Sequence, residues 1–555
     1  MAPRRILIVG GYGAFGARVA ERLAREADLH LIIAGRDAVR AAAAASTLGQ
    51  TARAAISSAV VDATQPHVAA LAERRPSVII NASGPFQAQD YALAHAAIAV
   101  GAHYVDLADV RGFVCGIGAL DAAARAAGVL VVSGASTVPA LSAAVVEHYA
   151  GRFHPLRIID IGVVPGNHFD PGLATTQSIL RGLGEPILVR QGGEPGFVHG
   201  WEYVRRRDIP GLGRRWLANC DVPDLELFPK RYPQVQTVSF GAGVEVGLFH
   251  HALVVLATLK RLGLVQRPER FASHLLAMKR RLGFLGTDRG GMVVTLRGPD
   301  AAGVVQTIDW YLVAGSGHGP VIPTVAATLL ARGLARGEIH ERGAMPCVGL
   351  VTLDAFLAEI ADLDISAREG TTPLYRRVLG KRFSQLPQAV RSLHDVDRRR
   401  VWSGRADVVR GSSVAARVLA TLFSLPPAGR NQPLRVTFAP GGGREVWSRA
   451  FGVKVFRSVQ SEGAGTLIER VGPVRFTFGL EIAGDIAGGA LHLRLQRLHV
   501  FGLPIPRLLH PSIETRETDN AGRYQFDVKS SLPRVGILVH YTGWLEPEVA
   551  VAVPS

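Results

Sequence analysis

A short apolar run, Arg5-Ile6-Leu7-Ile8-Val9-Gly10, leads straight into Gly11-Tyr12-Gly13-Ala14-Phe15-Gly16 and then into Ala-rich sequence with helical periodicity. The run has the length of a buried strand, so the order is strand, tight turn, helix, the opening of a dinucleotide-binding unit. Each glycine has its own task. Gly11 permits the sharp turn, Gly13 lets the backbone come close to a pyrophosphate, and Gly16 lets the helix pack on the strand. The diphosphate rests on unpaired N–H groups at the positive end of the helix, so Tyr12, Ala14 and Phe15 join the three glycines as cofactor-binding residues.

Short apolar runs continue to alternate with Ala-rich segments up to about residue 140. Leu29-His30-Leu31-Ile32-Ile33-Ala34 is a second strand and ends in Gly35-Arg36-Asp37. A unit that prefers NAD carries an acidic side chain about 20 residues past its last glycine, where it accepts hydrogen bonds from the ribose hydroxyls. Here that residue is Arg36. A guanidinium suits the 2′-phosphate of NADP, so NADP(H) is the expected cofactor; NAD(H) is less favoured, with Asp37 keeping some room for it. Ala59-Val60-Val61-Asp62 reads as a third strand, with Asp62 in reach of the adenine edge. Val78-Ile79-Ile80-Asn81 is a fourth and runs into Ala82-Ser83-Gly84-Pro85-Phe86. Pro85 and Phe86 cannot prolong a parallel strand and form a rigid apolar turn, where a nicotinamide ring would rest. Further units at His103-Tyr104-Val105-Asp106 and Val129-Leu130-Val131-Val132-Ser133-Gly134 complete a doubly wound parallel sheet.

A chain of 555 residues is too long for one core. Its net charge of +16 raises the question of nucleic acid, yet residues 1–150 carry 12 basic and 11 acidic side chains, so the excess lies elsewhere. No dense basic run with interleaved aromatics occurs, and nucleic acid is not an expected partner. Cys115, Cys220 and Cys347 lie far apart without His at metal spacing, which excludes a disulfide framework and a zinc site; no metal is expected, and a reducing cytoplasm is the expected compartment. The first apolar run is the strand itself, so no secretory leader is expected. Leu248 to Val265 contains His250, His251, Lys260 and Arg261 and is too polar to span a membrane, though peripheral contact stays open.

Glycines 11, 13 and 16, Ala34-Gly35-Arg36, Asn81 to Phe86, His103-Tyr104-Val105-Asp106-Leu107 and Gly134-Ala135-Ser136-Thr137-Val138-Pro139-Ala140-Leu141-Ser142 together resemble the saccharopine dehydrogenase (saccharopine reductase-like) family. The resemblance covers about the first 145 residues. It implies an NAD(P)-binding Rossmann domain joined to an α/β substrate domain, with the chain returning from the second to the first. It does not imply saccharopine as substrate, because the family includes reductases of imines and of lipid enoyl groups.

Between 146 and 381, Ile158 to Val164 restarts a strand, and the runs Met292 to Arg297 and Val304 to Trp310 flank turn residues 298–303. That is a hairpin, foreign to the interior of a parallel sheet, and it marks a mixed α/β substrate domain. His168, heading a helix through about Leu180, is the candidate proton donor; Tyr203, Asp221 and Glu245 are weaker candidates. Hydride transfer needs mainly alignment, so a missing acid does not exclude it.

Beyond Gly380 the texture changes to alternation: Val474, Phe476 and Phe478 share a face, as do Leu491, Leu493 and Leu495, then Tyr524, Phe526 and Val528, then Ile537, Val539 and Tyr541. Residues 382–555 therefore read as a mainly antiparallel β domain with one wet face, covered by a helix from about Ser413 to Leu422. His394, Gly404, Arg410-Gly411, Leu425-Pro426, Trp447 to Gly452, Glu469-Arg470-Val471-Gly472, Pro504-Ile505-Pro506 and Tyr541 to Leu545 resemble the DUF4166 family, whose chemistry the match does not imply. The expected division is 1–145, 146–381 and 382–555. The expected activity is NADPH-dependent reduction of a C=N, C=C or C=O bond in a small-molecule substrate, with a lipid-like metabolite as one option and homo-oligomerisation left open. The rivals are a nucleotide-binding sensor or scaffold without turnover, and a lipid-binding protein acting through the C-terminal sheet.

Overall fold

The structure is a computed structural model that describes residues 4–548 apart from 171, 302, 304, 371–372, 397–398, 423–424, 442–443, 453, 464 and 485–488. Of the hairpin residues read from sequence, Ala302 and Val304 lie outside the described residues. The chain forms two compact units, 1–369 and 370–555.

In the first unit, Ile6, Leu7, Ile8 and Val9 are all buried because the strand Arg4–Val9 is paired in parallel on both sides, with Leu29–Gly35 and Val78–Asn81. A strand covered on both faces reads as an unbroken apolar run rather than an alternating one. The sheet has seven strands in the order 343–346, 130–133, 103–106, 78–81, 4–9, 29–35 and 55–60. Strand order reverses beside Arg4–Val9, which opens a crevice at its carboxyl end. Helix Gly16–Leu23 buries Val19, Ala20 and Leu23, and helix Val325–Arg336 packs against it. Arg332 and Arg336 of that later helix pair with Glu26 at 2.9 and 2.8 Å. The strand Gly343–Pro346 then joins the sheet parallel to Leu130–Ser133, an addition that the sequence reading lacks.

A second, nine-stranded sheet contains the expected hairpin, Gly290–Pro299 with Val305–Ala314, antiparallel to each other. It is mixed, because Thr237–Ala242 runs parallel to Ile158–Val164 while its other neighbours are antiparallel. Ile159, Val294 and Trp310 from this sheet belong to the same continuous core as Ile6, Val105 and Leu330.

In the second unit, ten strands follow one another as antiparallel neighbours from Arg400–Arg410 to Gly536–Pro547, and the first pairs with the last. They close an up-and-down barrel, with the short strand Leu503–Pro504 attached outside the ring. The alternation in the sequence is thus inside against outside. Helices Leu374–Leu379 and Gln388–His394 cover one end of the barrel. Leu374, Tyr375, Val378 and Leu379 are buried in the barrel's core, which is why the compact units part after Glu369 rather than after residue 381. Among the described residues no helix is long and apolar enough to cross a membrane.

Candidate cofactor site

The turn after Arg4–Val9 is the centre of the site. Gly10 has φ +80°, a conformation that favours glycine, and a Cβ there would lie 2.8 Å from the Ala82 carbonyl and 2.9 Å from the Ser83 nitrogen. The residue that makes the sharp turn is therefore Gly10 and not Gly11, whose φ is not positive. A Cβ on Gly16 would overlap the Gly10 carbonyl oxygen, so the third glycine does permit close packing of the helix. The Gly13 N–H donates to Gly10 O at 2.8 Å, whereas among the described residues the N–H groups of Ala14 and Phe15 have no partner. Two free donors at a helix start form an anion seat.

Tyr12 lies across the end of the second strand. Its hydroxyl accepts from the Asp37 N–H at 3.1 Å, and the Arg40 guanidinium stands 4.7 Å over its ring. Arg36 and Arg40 are both exposed at this edge. Asp37 is occupied elsewhere, since its carboxylate accepts from Val39 N and Arg40 N, both at 3.0 Å, as the N-cap of helix Ala38–Gly49. Asp62 accepts from the Thr64 N–H at 2.9 Å and its hydroxyl at 2.8 Å; these bonds, with a smaller contribution from Arg36, hold its carboxyl below the ordinary range. Two cations and a committed Asp37 suit a 2′-phosphate better than a free ribose hydroxyl. Sequence reasoning did not single out Arg40, which lies in the first turn of helix Ala38–Gly49, just after Arg36 and the N-cap Asp37.

Across the crevice, Ser83 N and Oγ donate to Asn81 Oδ1 at 3.1 and 2.6 Å, and Asn81 Nδ2 donates to Gln89 and Tyr104, both at 3.2 Å. Gly84 and Pro85 are exposed, but Phe86 is buried and packs 5.3 Å from Phe113. The Phe86 ring thus belongs to the core, and only the first part of the apolar turn faces the crevice. Asp106, at the end of the neighbouring strand, is fully buried and accepts from Ala108 N, Ser133 Oγ and Gly134 N at 2.8–3.0 Å. Burial pushes its carboxyl up to about 6, against the pull of those bonds.

The wall opposite the turn comes from the second sheet. The Phe169 ring lies 6.3 Å from Phe15, and Gln87 bonds Ser178 of helix Gly172–Arg181. His168, next to Phe169, is exposed; its N–H donates to Thr287 O at 2.9 Å, and its side chain has no hydrogen bond or ring contact among the described residues. Lys279, which sequence reasoning did not single out, ties this loop down by donating to Asn167 O at 2.6 Å and Phe169 O at 2.5 Å. Glu245 is an anchor: burial opposes its charge, but bonds from Thr287 and Asn167 and the Arg215 guanidinium at 3.3 Å hold its carboxyl low. Asp221 pairs with Arg111 at 2.5 Å, and Tyr203 is exposed. Among the described residues neither has a hydrogen bond, ion pair or ring contact with the glycine turn.

Sheet order, turn and cationic edge define a nucleotide-binding domain of the dinucleotide type. Residues 6–132 match the saccharopine dehydrogenase NADP binding domain, and residues 386–545 match a domain of unknown function, DUF4166. The first segment of the chain is thus similar to the saccharopine dehydrogenase NADP-binding family and the last to DUF4166. Among solved structures, apo saccharopine dehydrogenase (L-Glu forming) from Saccharomyces cerevisiae is similar at 15% identity, over 66% of this chain and 100% of that one, with a TM-score of 0.48. Biliverdin reductase from Synechocystis sp. PCC 6803, in complex with biliverdin and NADP+, shares 13% identity over 65% of this chain and 96% of its own, with a TM-score of 0.30. A short-chain dehydrogenase from Sphingobium yanoikuyae in complex with NADPH shares 23% identity over 23% of this chain and 71% of its own, with a TM-score of 0.19. No curated protein matches the sequence.

Proposed function

We propose that residues 1–369 form an NADPH-dependent oxidoreductase unit that reduces a C=N, C=C or C=O bond of a small-molecule metabolite. The observation that carries this reading is the meeting of the Gly10 to Gly16 turn with Ala82-Ser83 on one side and with the Arg36 and Arg40 edge on the other. NADPH supplies a hydride when bound. The Ala14 and Phe15 N–H groups hold the diphosphate, Arg36 and Arg40 hold the 2′-phosphate, and Asp62 borders the adenine. Ser83, Gly84 and Pro85 form the floor beneath the nicotinamide. Phe169 against Phe15, and Gln87 with Ser178, narrow the cleft and exclude water. His168 is the proton donor we assign, on the ground that its neighbour Phe169 lies against the phosphate turn.

A second reading, a nucleotide sensor without turnover, draws on one observation: among the described residues no side-chain hydrogen bond orients the His168 ring, whereas a general acid needs one. Gly13→Val tests the site common to both readings. A Cβ at Gly13 would lie 3.1 Å from the Gly10 oxygen, so the turn must give by a few tenths of an ångström, while the branches would fill the space of the pyrophosphate. NADPH fluorescence titration should show binding lost with the thermal transition retained. Undiminished affinity in the folded variant would refute the site.

A further inference from the structure

We propose that the end of the barrel opposite its two helices docks on an anionic phospholipid bilayer, with the segment 501–509 inserted among the acyl chains. This goes beyond the cofactor reading and stands independently of it. The up-and-down order decides which connections meet at each end. Leu374 N donates to Glu445 at 3.0 Å and Ala389 N to Asp519 at 2.8 Å, which sets the two helices beside the start of strand Arg444–Phe451 and the end of strand Ser512–Asn520. The opposite end therefore carries the connections 411–428, 452–453, 472–473, 501–511 and 533–535. None of the five contains a carboxylate, while Arg417, Arg507 and Arg534 lie in them and Lys454 directly follows one. Among the described residues Lys454, Arg507 and Arg534 have no ion pair, and both arginines are exposed. This end is a cationic surface with nothing of its own to neutralise it.

The same end is also apolar. Phe501, Leu503, Leu508 and Leu509 are 82%, 70%, 89% and 62% exposed. Four large apolar side chains bare within one short segment make a patch, not scatter. The segment holds them out by its own bonds: Phe501 N donates to Pro473 O at 3.1 Å, Ile505 N to Leu498 O at 2.9 Å and Leu509 N to Pro506 O at 3.0 Å, and His510 Nε2 lies 2.9 Å from Ile505 O. Val500 pairs with Leu503, so Phe501 and Gly502 form a two-residue hairpin tip, with φ of +51° and +86°. A turn with both central residues left-handed favours Asn-Gly, and a bulky side chain at its first position is strained. Strain spent on holding an aromatic ring in water marks a functional position. Across the same end Val414 and Val418, one helical turn apart, are exposed as well, and Ser413 ties their helix to Val535 O at 3.1 Å.

Charge decides the occupant. An apolar tip among unpaired cations matches a bilayer with anionic headgroups, which takes the side chains into its acyl region and sets phosphates against the guanidinium groups. A second copy of the chain matches it badly, because a two-fold contact would press the same cations together without a carboxylate to pair them. The helix Gly247–Arg261 also exposes Leu248 and Val255, but its cations are committed within the protein: Lys260 pairs with Glu185 at 2.7 Å and Arg261 with Glu202 at 2.8 Å. The barrel end is therefore the docking surface.

The test is flotation of the full chain with vesicles of phosphatidylcholine alone or of phosphatidylcholine mixed with phosphatidylserine. Binding to the mixed vesicles, weaker on the neutral ones and reduced by salt, is expected. Phe501→Ser combined with Leu508→Ser should weaken it about tenfold or more with the thermal transition retained, since both positions are exposed. Arg507→Glu combined with Arg534→Glu should cost about tenfold or more on the mixed vesicles and little on the neutral ones. Val255→Ser should bind as the parent does. A separate readout is Leu508→Trp, whose added emission should be quenched by lipids brominated in the acyl chain. Equal or absent binding to the two vesicle types, a folded Phe501→Ser/Leu508→Ser protein that binds as the parent does, loss of binding in Val255→Ser, or an added tryptophan that the brominated lipids do not quench would overturn the proposal. A parent dimer that the Phe501→Ser/Leu508→Ser variant splits, in place of vesicle binding, would overturn it too and give the surface to a second copy.

Discussion

Arg36→Ala should convert the cofactor site from one that discriminates for NADPH into one that does not. Arg36 is exposed, and the charged group that senses it is Asp62, whose carboxylate is held mainly by Thr64 and only secondarily by Arg36. Removing the guanidinium therefore leaves the protein's own structure almost untouched. It deletes one charged hydrogen bond to the 2′-phosphate, about 1.5–3 kcal/mol, or roughly a 10- to 100-fold loss of NADPH affinity. Asp62 stays ionised, so the phosphate then faces an uncompensated carboxylate, which moves the loss towards the upper end. NADH has no 2′-phosphate and should bind unchanged. Arg40→Ala should behave differently, because its guanidinium also lies over the Tyr12 ring; loss of that contact costs about 0.5–1 kcal/mol for both cofactors, in addition to the part specific to NADPH. Fluorescence titration of both nucleotides at low and high salt measures this, since the specific part shrinks as salt rises. Equal losses of NADPH and NADH affinity in Arg36→Ala would refute the assignment.

Two further outcomes follow from burial. Burial pushes the Asp224 carboxyl, bonded by Ser142, up to about 7, against about 3.9 in an unfolded chain. The folded state therefore holds this proton more firmly, and the stability it contributes is present in acid and is lost as pH rises from about 4 through about 7. Asp224→Asn should accordingly gain stability relative to the parent between pH 5 and pH 8, by up to about 1.4 kcal/mol per pH unit, in denaturant unfolding; an identical difference at both pH values would contradict it. A fragment ending at Glu369 should be soluble and bind NADPH as the full chain does, whereas one ending at residue 381 carries Leu374, Tyr375, Val378 and Leu379 without the core that buries them and should aggregate. Equal solubility of the two by light scattering would count against this division.

The sequence was informative where neighbours along the chain decide the outcome. The buried strand and the glycine turn are local, and each was legible from spacing, as was the place of Arg36 just past the end of the second strand. What escaped depends on contacts between distant segments. Gly10 must be glycine because Ala82 and Ser83 come close to it, and nothing near residue 10 says so. Phe86 was legible as apolar but not as buried, because its partner Phe113 arrives from the later helix Arg111–Gly116. Gly343–Pro346 is too short, and too rich in glycine and proline, to show a strand's period, and only its pairing with Leu130–Ser133 makes it one. Alternation in the last third specified antiparallel strands but not their closure, which rests on Arg400–Arg410 meeting Gly536–Pro547 across the whole domain.

The central claim is that residues 1–369 bind NADPH at the Gly10 to Gly16 turn and pass its hydride to a small molecule. The most direct measurement is isotope transfer: the full chain is incubated with NADPH deuterated at C4 of the nicotinamide and a metabolite extract, with Gly13→Val as control. The account predicts one product class that gains deuterium at a former C=N, C=C or C=O carbon, with matching formation of NADP+, in the parent protein only. Tight NADPH binding without any transfer of the label would contradict it and leave the sensor reading in its place.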